Sequence, residues 1–191
     1  PHSEISFQEA GLKPEEVLDL FDTQMISRHL DIQARILKDK GQGFYTIGSS
    51  GHEGNAAVAL ALKATDLGFL HYRSTALVLQ RAKMAQIADP IYEQLLSLVA
   101  SSEDPISGGR HKVLGSVALH IPPQTSTIAS HLPKAVGAAV GISLAKGFKE
   151  SAYFKYPRET TVLCSFGDGS FNHSTAQGAL HAASWAREHG I

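Results

Sequence analysis

The sequence predicts an open α/β domain, with helices packed on both faces of a mainly parallel sheet. Three observations carry this. Residues 66–71 form an apolar run that passes through His71-Tyr72-Arg73-Ser74 into a helical pattern over 75–84. Residues 160–166 repeat the arrangement, passing through Gly167-Asp168-Gly169-Ser170 into an alanine-rich run over 172–189. Between them, residues 125–147 carry a run of alanines and glycines at helical spacing. Strand–turn–helix units in series give parallel strands whose turns open at the carboxyl end of the sheet, where such folds bind ligands.

The elements follow in order. Residues 1–13 read as an irregular arm, and 14–191 as one α/β domain, since 191 residues suffice for one core and are few for two. Pro14, Glu15 and Glu16 suit the first turn of a helix, proline by its fixed φ and the acids by the helix dipole. Val17, Leu18, Phe21, Met25, Ile32 and Ile36 continue it as an apolar packing stripe to about Lys40, where Gly41 and Gly43 stop it. Gly51-His52-Glu53-Gly54 then precedes a small-residue helix over 55–62; a His-Glu pair between glycines serves either a site or a cap.

After the strand of 66–71 and the helix of 75–84, a further helix covers 89–100. Residues 101–124 read as a long polar loop without structure of its own, which is the kind of loop that carries function. His111, His120 and His131 are the candidates for proton work, and they lack partners at zinc-like spacing. The helix of 125–147 includes Ala135, Gly137, Ala138, Ala139 and Gly141, small enough for close approach, and reads as the central buried helix of the fold or of a subunit interface. Residues 148–159 are a surface connection. In the last unit, Ala176, Ala179, Leu180 and Ala183 lie on one helix face, and Gly190 is the stop. No internal repeat or low-complexity tract occurs.

Bulk properties exclude some functions. Seventeen basic against 18 acidic side chains give no basic face for nucleic acid. No apolar run approaches the roughly 18 residues of a membrane span. No charged-then-apolar leader opens the sequence, so an intracellular protein is expected. Cys164, the single cysteine, falls in a strand and is expected to be a small core residue.

The chemistry centres on Gly167-Asp168-Gly169-Ser170. Glycines allow a ligand close to the backbone, and unpaired N–H groups at a helix start favour phosphate. A carboxylate in the same turn repels phosphate unless a divalent cation lies between, and magnesium prefers such shared oxygen ligands. Asp-Gly is also a common turn dipeptide. Tyr72 and Arg73, at the other strand end, add a phenolic donor and a forked cation suited to phosphate oxygens.

Taken together, Gly48-Ser49-Ser50-Gly51-His52-Glu53-Gly54, residues 66–73, Gly109-Arg110, residues 126–139 and residues 163–178 resemble, in order and spacing, a known family. It is the alpha subunit, or alpha-like amino-terminal half, of thiamine-diphosphate-dependent 2-oxo acid dehydrogenases, the E1 component of those multienzyme complexes. The resemblance covers about residues 15–191. It implies a thiamine-diphosphate-binding fold, with Asp168 as a magnesium ligand and Gly167, Gly169 and Ser170 bringing backbone N–H groups to the diphosphate. Tyr72 and Arg73 grip the same diphosphate, with His71 beside them. Ser126 and Ile128 match positions that hold the aminopyrimidine ring and wedge the cofactor into a bent shape. The thiazolium then serves as electron sink for loss of carbon dioxide.

The partners implied are an E1 beta subunit or beta-like domain, in an α2β2 assembly or a homodimer of a fused chain, and an E2 lipoyl acyltransferase that takes the acyl group. The compartment implied is the bacterial cytoplasm or, in a eukaryote, the mitochondrial matrix. In the family the metal motif runs on to an asparagine ligand, and the beta half supplies the glutamate that activates the pyrimidine. This sequence stops at Ile191, before such an asparagine. A fragment is therefore expected, one that alone neither binds cofactor tightly nor turns over.

The substrate is narrowed less. Ile121-Pro122-Pro123-Gln124 is similar to bacterial pyruvate enzymes, residues 126–139 to the branched-chain type. Gly109-Arg110 with Ser130-His131-Leu132 is faintly similar to 2-oxoglutarate enzymes. A branched-chain or pyruvate-type acid is favoured, with His120 and His131 as substrate contacts. Two rivals are a transketolase, which also has an early Gly-Asp-Gly, and a non-enzymatic α/β module binding through its small-residue helices. A dinucleotide fold lacks its Gly-x-Gly-x-x-Gly.

Overall fold

Two short strands, β1 (Leu67–Phe69) and β4 (Val162–Cys164), pair in parallel, with Leu67 opposite Val162 and Phe69 opposite Cys164. A computed structural model describes residues 5–44, 47–110, 113–145, 156–157 and 159–191. Side chains alternate across the pair, as a pleated strand requires. Leu67, Phe69, Val162 and Cys164 turn to one face, where Ala135 and Ala138 of α5 (Leu132–Ala145) cover them. Leu70 and Leu163 belong to the other face, with Leu77, Val78 and Ala82 of α3 (Thr75–Met84) and Ala59 of α2 (Asn55–Ala61). Helices thus lie on both faces of a parallel pair, in a chain of mixed α/β structure. Gly68 lets α3 come close: an added Cβ would sit 3.3 Å from Nη1 of the buried Arg81.

Around this centre, α1 (Pro14–Asp39) packs on α3 and α2, and α6 (Ser174–Glu188) packs on α5. Helix α4 (Pro90–Leu98) touches α1 and α3. The strand–turn–helix units expected from the sequence are present, α3 with the expected bounds. The arm is more ordered than expected over residues 5–13, where Ala10 and Leu12 donate to the carbonyls of Ser6 and Phe7. Residues 1–4 lie outside the described residues.

Four expectations are corrected. The first concerns α1, which forms but buries a different face. Leu18, Phe21, Met25, Ile32 and Ile36 are exposed, whereas Leu20, Thr23, Ser27, Leu30, Asp31 and Ala34 are buried. Apolar periodicity misses this face because three of its members are polar, and two of them, Thr23 and Asp31, are satisfied by partners far away in sequence. Thr23 donates to Gln80 at 2.6 Å, and Asp31 accepts from Ser49.

Second, residues 101–124 are not structureless. Strands β2 (Leu114–Ser116) and β3 (Ile121–Gln124) form an antiparallel hairpin with an irregular register. Pro122 and Pro123 cannot donate to a ladder and so masked the strand, though an edge position tolerates them. In place of one mainly parallel sheet, the described residues form two two-stranded sheets, a parallel pair and an antiparallel hairpin, linked where the Gly68 N–H donates to the His120 carbonyl (3.0 Å).

Third, α5 begins at Leu132, after a turn in which Ala129 takes φ +60°. Pro133 suits the first helical turn. Only Leu132, Ala135 and Ile142 of α5 are buried, while Gly137, Ala139 and Gly141 face outward. It is not the buried central helix of this chain. Fourth, β4 is half-buried, and Cys164 with it, rather than the core residue expected. The connection over 148–159 falls almost wholly outside the described residues, as does His111.

Candidate functional site

Because β1 and β4 are parallel neighbours in register, the segments that follow them emerge side by side. Ser165 N–H donates to the Phe69 carbonyl at 2.9 Å, continuing the pairing to the strand ends. Beyond it the turn of Gly167, Asp168 and Gly169 lies against the turn of His71, Tyr72 and Arg73. A Cβ added to Gly167 would be 3.4 Å from Nε2 of His71.

His71 is the buried centre of this cluster. Its ring stacks on His52 (centroids 4.7 Å apart, planes 11° apart) and tilts over Tyr72 at 3.9 Å. Burial first, then the charges of His52, His131 and Arg73, pushes its pKa down to about 4, so the imidazole is neutral at pH 7. His52 is also lowered, mainly by burial and by Arg73, against the opposing pull of Glu53 and Asp168. The sequence marked His52 only as an alternative to a cap; its stacking on a residue of the next strand end is a relationship that spacing does not reveal.

Arg73 donates from Nη1 to the Gly48 carbonyl at 2.6 Å, and its guanidinium carbon lies 5.6 Å from the Tyr72 ring centroid. Behind the cluster the hydroxyls of Ser74 and Ser165 are 3.2 Å apart, and Asn55 donates to Ser74 at 3.4 Å. None of these three was singled out in the sequence, although both serines lie just past a strand. His131, buried, reaches in from the turn before α5, with Nε2 2.7 Å from the Ser165 carbonyl and Nδ1 buried without a partner among the described residues.

Asp168 opens a 3-10 turn, Asp168–Ser170, and is exposed. Ser170 is buried, and its N–H donates to the Gly167 carbonyl at 2.9 Å, leaving the N–H groups of Asp168 and Gly169 unbonded among the described residues. Helix α6 starts only at Ser174, where His173 caps the Thr175 N–H, so this turn and not α6 presents those groups.

Two observations test whether the turn suits a metal–diphosphate. A Cβ added to Gly169 meets nothing within 4 Å, so internal packing does not explain the glycine; open space beside free N–H groups suits an approaching anion. Among the described residues no group of three or more His, Cys, Asp or Glu could hold a metal. One carboxylate does not make a protein cage, but magnesium commonly takes one or two carboxylates and completes its shell with phosphate oxygens and water. The residues fit a cation carried by a diphosphate.

The remaining sequence candidates lie apart. Ser126 and Ile128 are on the exposed turn before α5, Ile128 being 55% exposed, and neither makes a hydrogen bond to the cluster. His120 takes φ +53° in the hairpin, with Nδ1 3.3 Å from the Tyr156 hydroxyl. It lines a cavity of about 210 Å3 with Leu67, at the start of β1 rather than its end.

No protein-family model matches the chain. Over 187 residues it is 27% identical to the 2-oxoisovalerate dehydrogenase subunit alpha of Bacillus subtilis strain 168. The match takes in 95% of this chain and 50% of that protein, so the chain spans half the length of this relative. This similarity amounts to a distant relationship with the alpha subunit of a 2-oxo acid dehydrogenase.

Proposed function

We propose that this chain is the diphosphate-binding portion of the E1 component of a 2-oxo acid dehydrogenase, acting with thiamine diphosphate and Mg2+. The observation that carries the reading is the parallel register of β1 and β4. It sets a carboxylate flanked by glycines beside a Tyr-Arg pair, with Gly167 against His71. One turn can hold a cation and the other can hold phosphate oxygens.

In this reading Asp168 holds Mg2+, and the N–H groups of Asp168 and Gly169, next to Gly167 and Ser170, meet the diphosphate. Arg73 and Tyr72 bind it from the neighbouring strand end, and His71 backs them as a neutral, stacked ring. Ser126 and Ile128, exposed here, seat the aminopyrimidine with the help of the beta partner, which also supplies the activating glutamate. When bound, the cofactor supplies the electron sink on which a 2-oxo acid loses carbon dioxide. His131 contacts the substrate, His120 at the start of β1 has no part in this site, and the acyl group passes to a lipoyl group on the E2 acyltransferase. The similarity to a 2-oxoisovalerate dehydrogenase favours a branched-chain acid over pyruvate. The assembly is α2β2 or a dimer of a fused chain, in the bacterial cytoplasm or the mitochondrial matrix.

The test uses the complete assembly carrying Asp168→Asn. Thiamine diphosphate affinity in Mg2+ and decarboxylation of 2-oxoisovalerate, pyruvate and 2-oxoglutarate are measured. Both should fall by at least about tenfold, the loss of a charge-assisted ligand. Unchanged affinity and rate would overturn the reading.

A further inference from the structure

Asp31 lies on the buried face of α1, outside both strand ends, yet its carboxylate is among the most heavily bonded groups of the described residues. Ser49 N–H donates to both oxygens, at 2.9 and 2.8 Å, and the Ser49 hydroxyl donates at 2.9 Å. Arg28 adds Nη1 at 2.7 Å, and reaches Ser50 Oγ and Glu53 with the same guanidinium. Asp31 is 8% exposed and Ser49 1% exposed, so water is kept from the Ser49–Asp31 bonds.

The Ser49 N–H and the Gly48 carbonyl belong to one planar, trans peptide unit and point in opposite directions. Fixing the N–H on Asp31 therefore aims the carbonyl the other way, and that carbonyl is the acceptor for Arg73 Nη1 at 2.6 Å. The approach needs a glycine, since a Cβ at residue 48 would lie 2.9 Å from Asp31 Oδ2. A guanidinium has further N–H groups, and those of Arg73 beyond Nη1 are not used by the described residues.

We propose that Asp31 is a positioning residue for Arg73: one rigid peptide unit, held by Asp31 at its N–H and carrying Arg73 at its carbonyl, sets the direction in which the guanidinium meets a diphosphate. This rests on the reading above that Arg73 faces a diphosphate. The role was hidden in the sequence because the carboxylate acts across 18 residues to Ser49 and the carbonyl across 25 more to Arg73.

The test titrates the assembled protein with thiamine diphosphate at fixed Mg2+, comparing Asp31→Asn, Arg73→Ala and the double variant. Asp31→Asn should raise the half-saturating cofactor concentration roughly tenfold, as expected for disturbing a charge-assisted contact. The kcat at saturating cofactor and the KM for the 2-oxo acid should stay within about twofold, and Asp31→Glu should restore part of the affinity. In the Arg73→Ala background Asp31→Asn should add nothing, because both act through one contact. Effects that multiply, or a kcat loss with half-saturation unchanged, would overturn the role of Asp31 while leaving that of Arg73 standing. An Arg73→Ala variant with unaltered half-saturation would instead sink the diphosphate reading itself. If Asp31→Asn does not assemble, Gly48→Ala tilts the same peptide with every charge intact, and the same failure to add to Arg73→Ala is required of it.

Discussion

His131 Nε2 lies 2.7 Å from the carbonyl oxygen of Ser165. A carbonyl only accepts, so the hydrogen sits on Nε2 and the buried Nδ1 keeps a bare lone pair. Burial lowers the pKa of the ring, the Ser165 bond opposes this, and Lys134 adds to the lowering. Nitrogen NMR of the assembled protein near pH 7 should therefore show the Nε2–H tautomer. His131→Phe should cost about 1–3 kcal/mol, the cost of leaving the half-buried Ser165 carbonyl without its donor, seen as a lower thermal midpoint. A protonated ring at pH 7 would contradict the assignment.

Acid should weaken the cofactor-free protein through His71. Its folded pKa is depressed to about 4 against an ordinary value of 6.5. Between those values the unfolded chain binds the extra proton, so stability rises with pH through that window and is lost as pH falls from about 6.5 toward 4. The contribution is on the order of 1–3 kcal/mol. Thermal midpoints at pH 7 and pH 4.5 should differ by more in the native protein than in His71→Phe; equal differences would refute it.

Gly169→Ala separates fold from ligand. Nothing lies within 4 Å of the added methyl, so stability should change by less than about 0.5 kcal/mol. Thiamine diphosphate affinity should nonetheless drop several-fold. Gly51 has φ +85°, and its alanine variant should lose about 1 kcal/mol through backbone strain alone.

On α1 the two apolar sets should respond oppositely to the sequence pattern. Leu30→Ala, at a site 7% exposed, should cost about 2–5 kcal/mol. Ile32→Ala, at a site 51% exposed, should stay within about 0.5 kcal/mol. Denaturant midpoints measure both.

Cys164 should be slow to react. Burial pushes its thiol up to about 11, so little thiolate exists near neutrality. Iodoacetamide at pH 7.5 should label the folded protein far more slowly than the unfolded one.

Local chemistry was legible wherever one segment decided it. The β1–α3 and β4–α6 units, and the two polar turns between them, follow from apolar runs and glycines that act over a few residues. What escaped was long-range or polar. Thr23 and Asp31 could replace apolar residues on the buried face of α1 because Gln80 and Ser49 satisfy them. Prolines hid β3, and Ala129 at positive φ delayed the start of α5. The stacking of His52 on His71 and the reach of His131 to Ser165 depend on how the elements meet, and the sequence carries no periodic trace of either.

The side of α1 that carries Leu18, Phe21, Met25, Ile32 and Ile36 has a practical consequence. A row of oily side chains along several helical turns makes the free polypeptide colloidally unstable. Produced without a companion chain it should clump as it is concentrated, with light scattering rising steeply, and charged replacements at Phe21 and Ile32 should keep it dispersed.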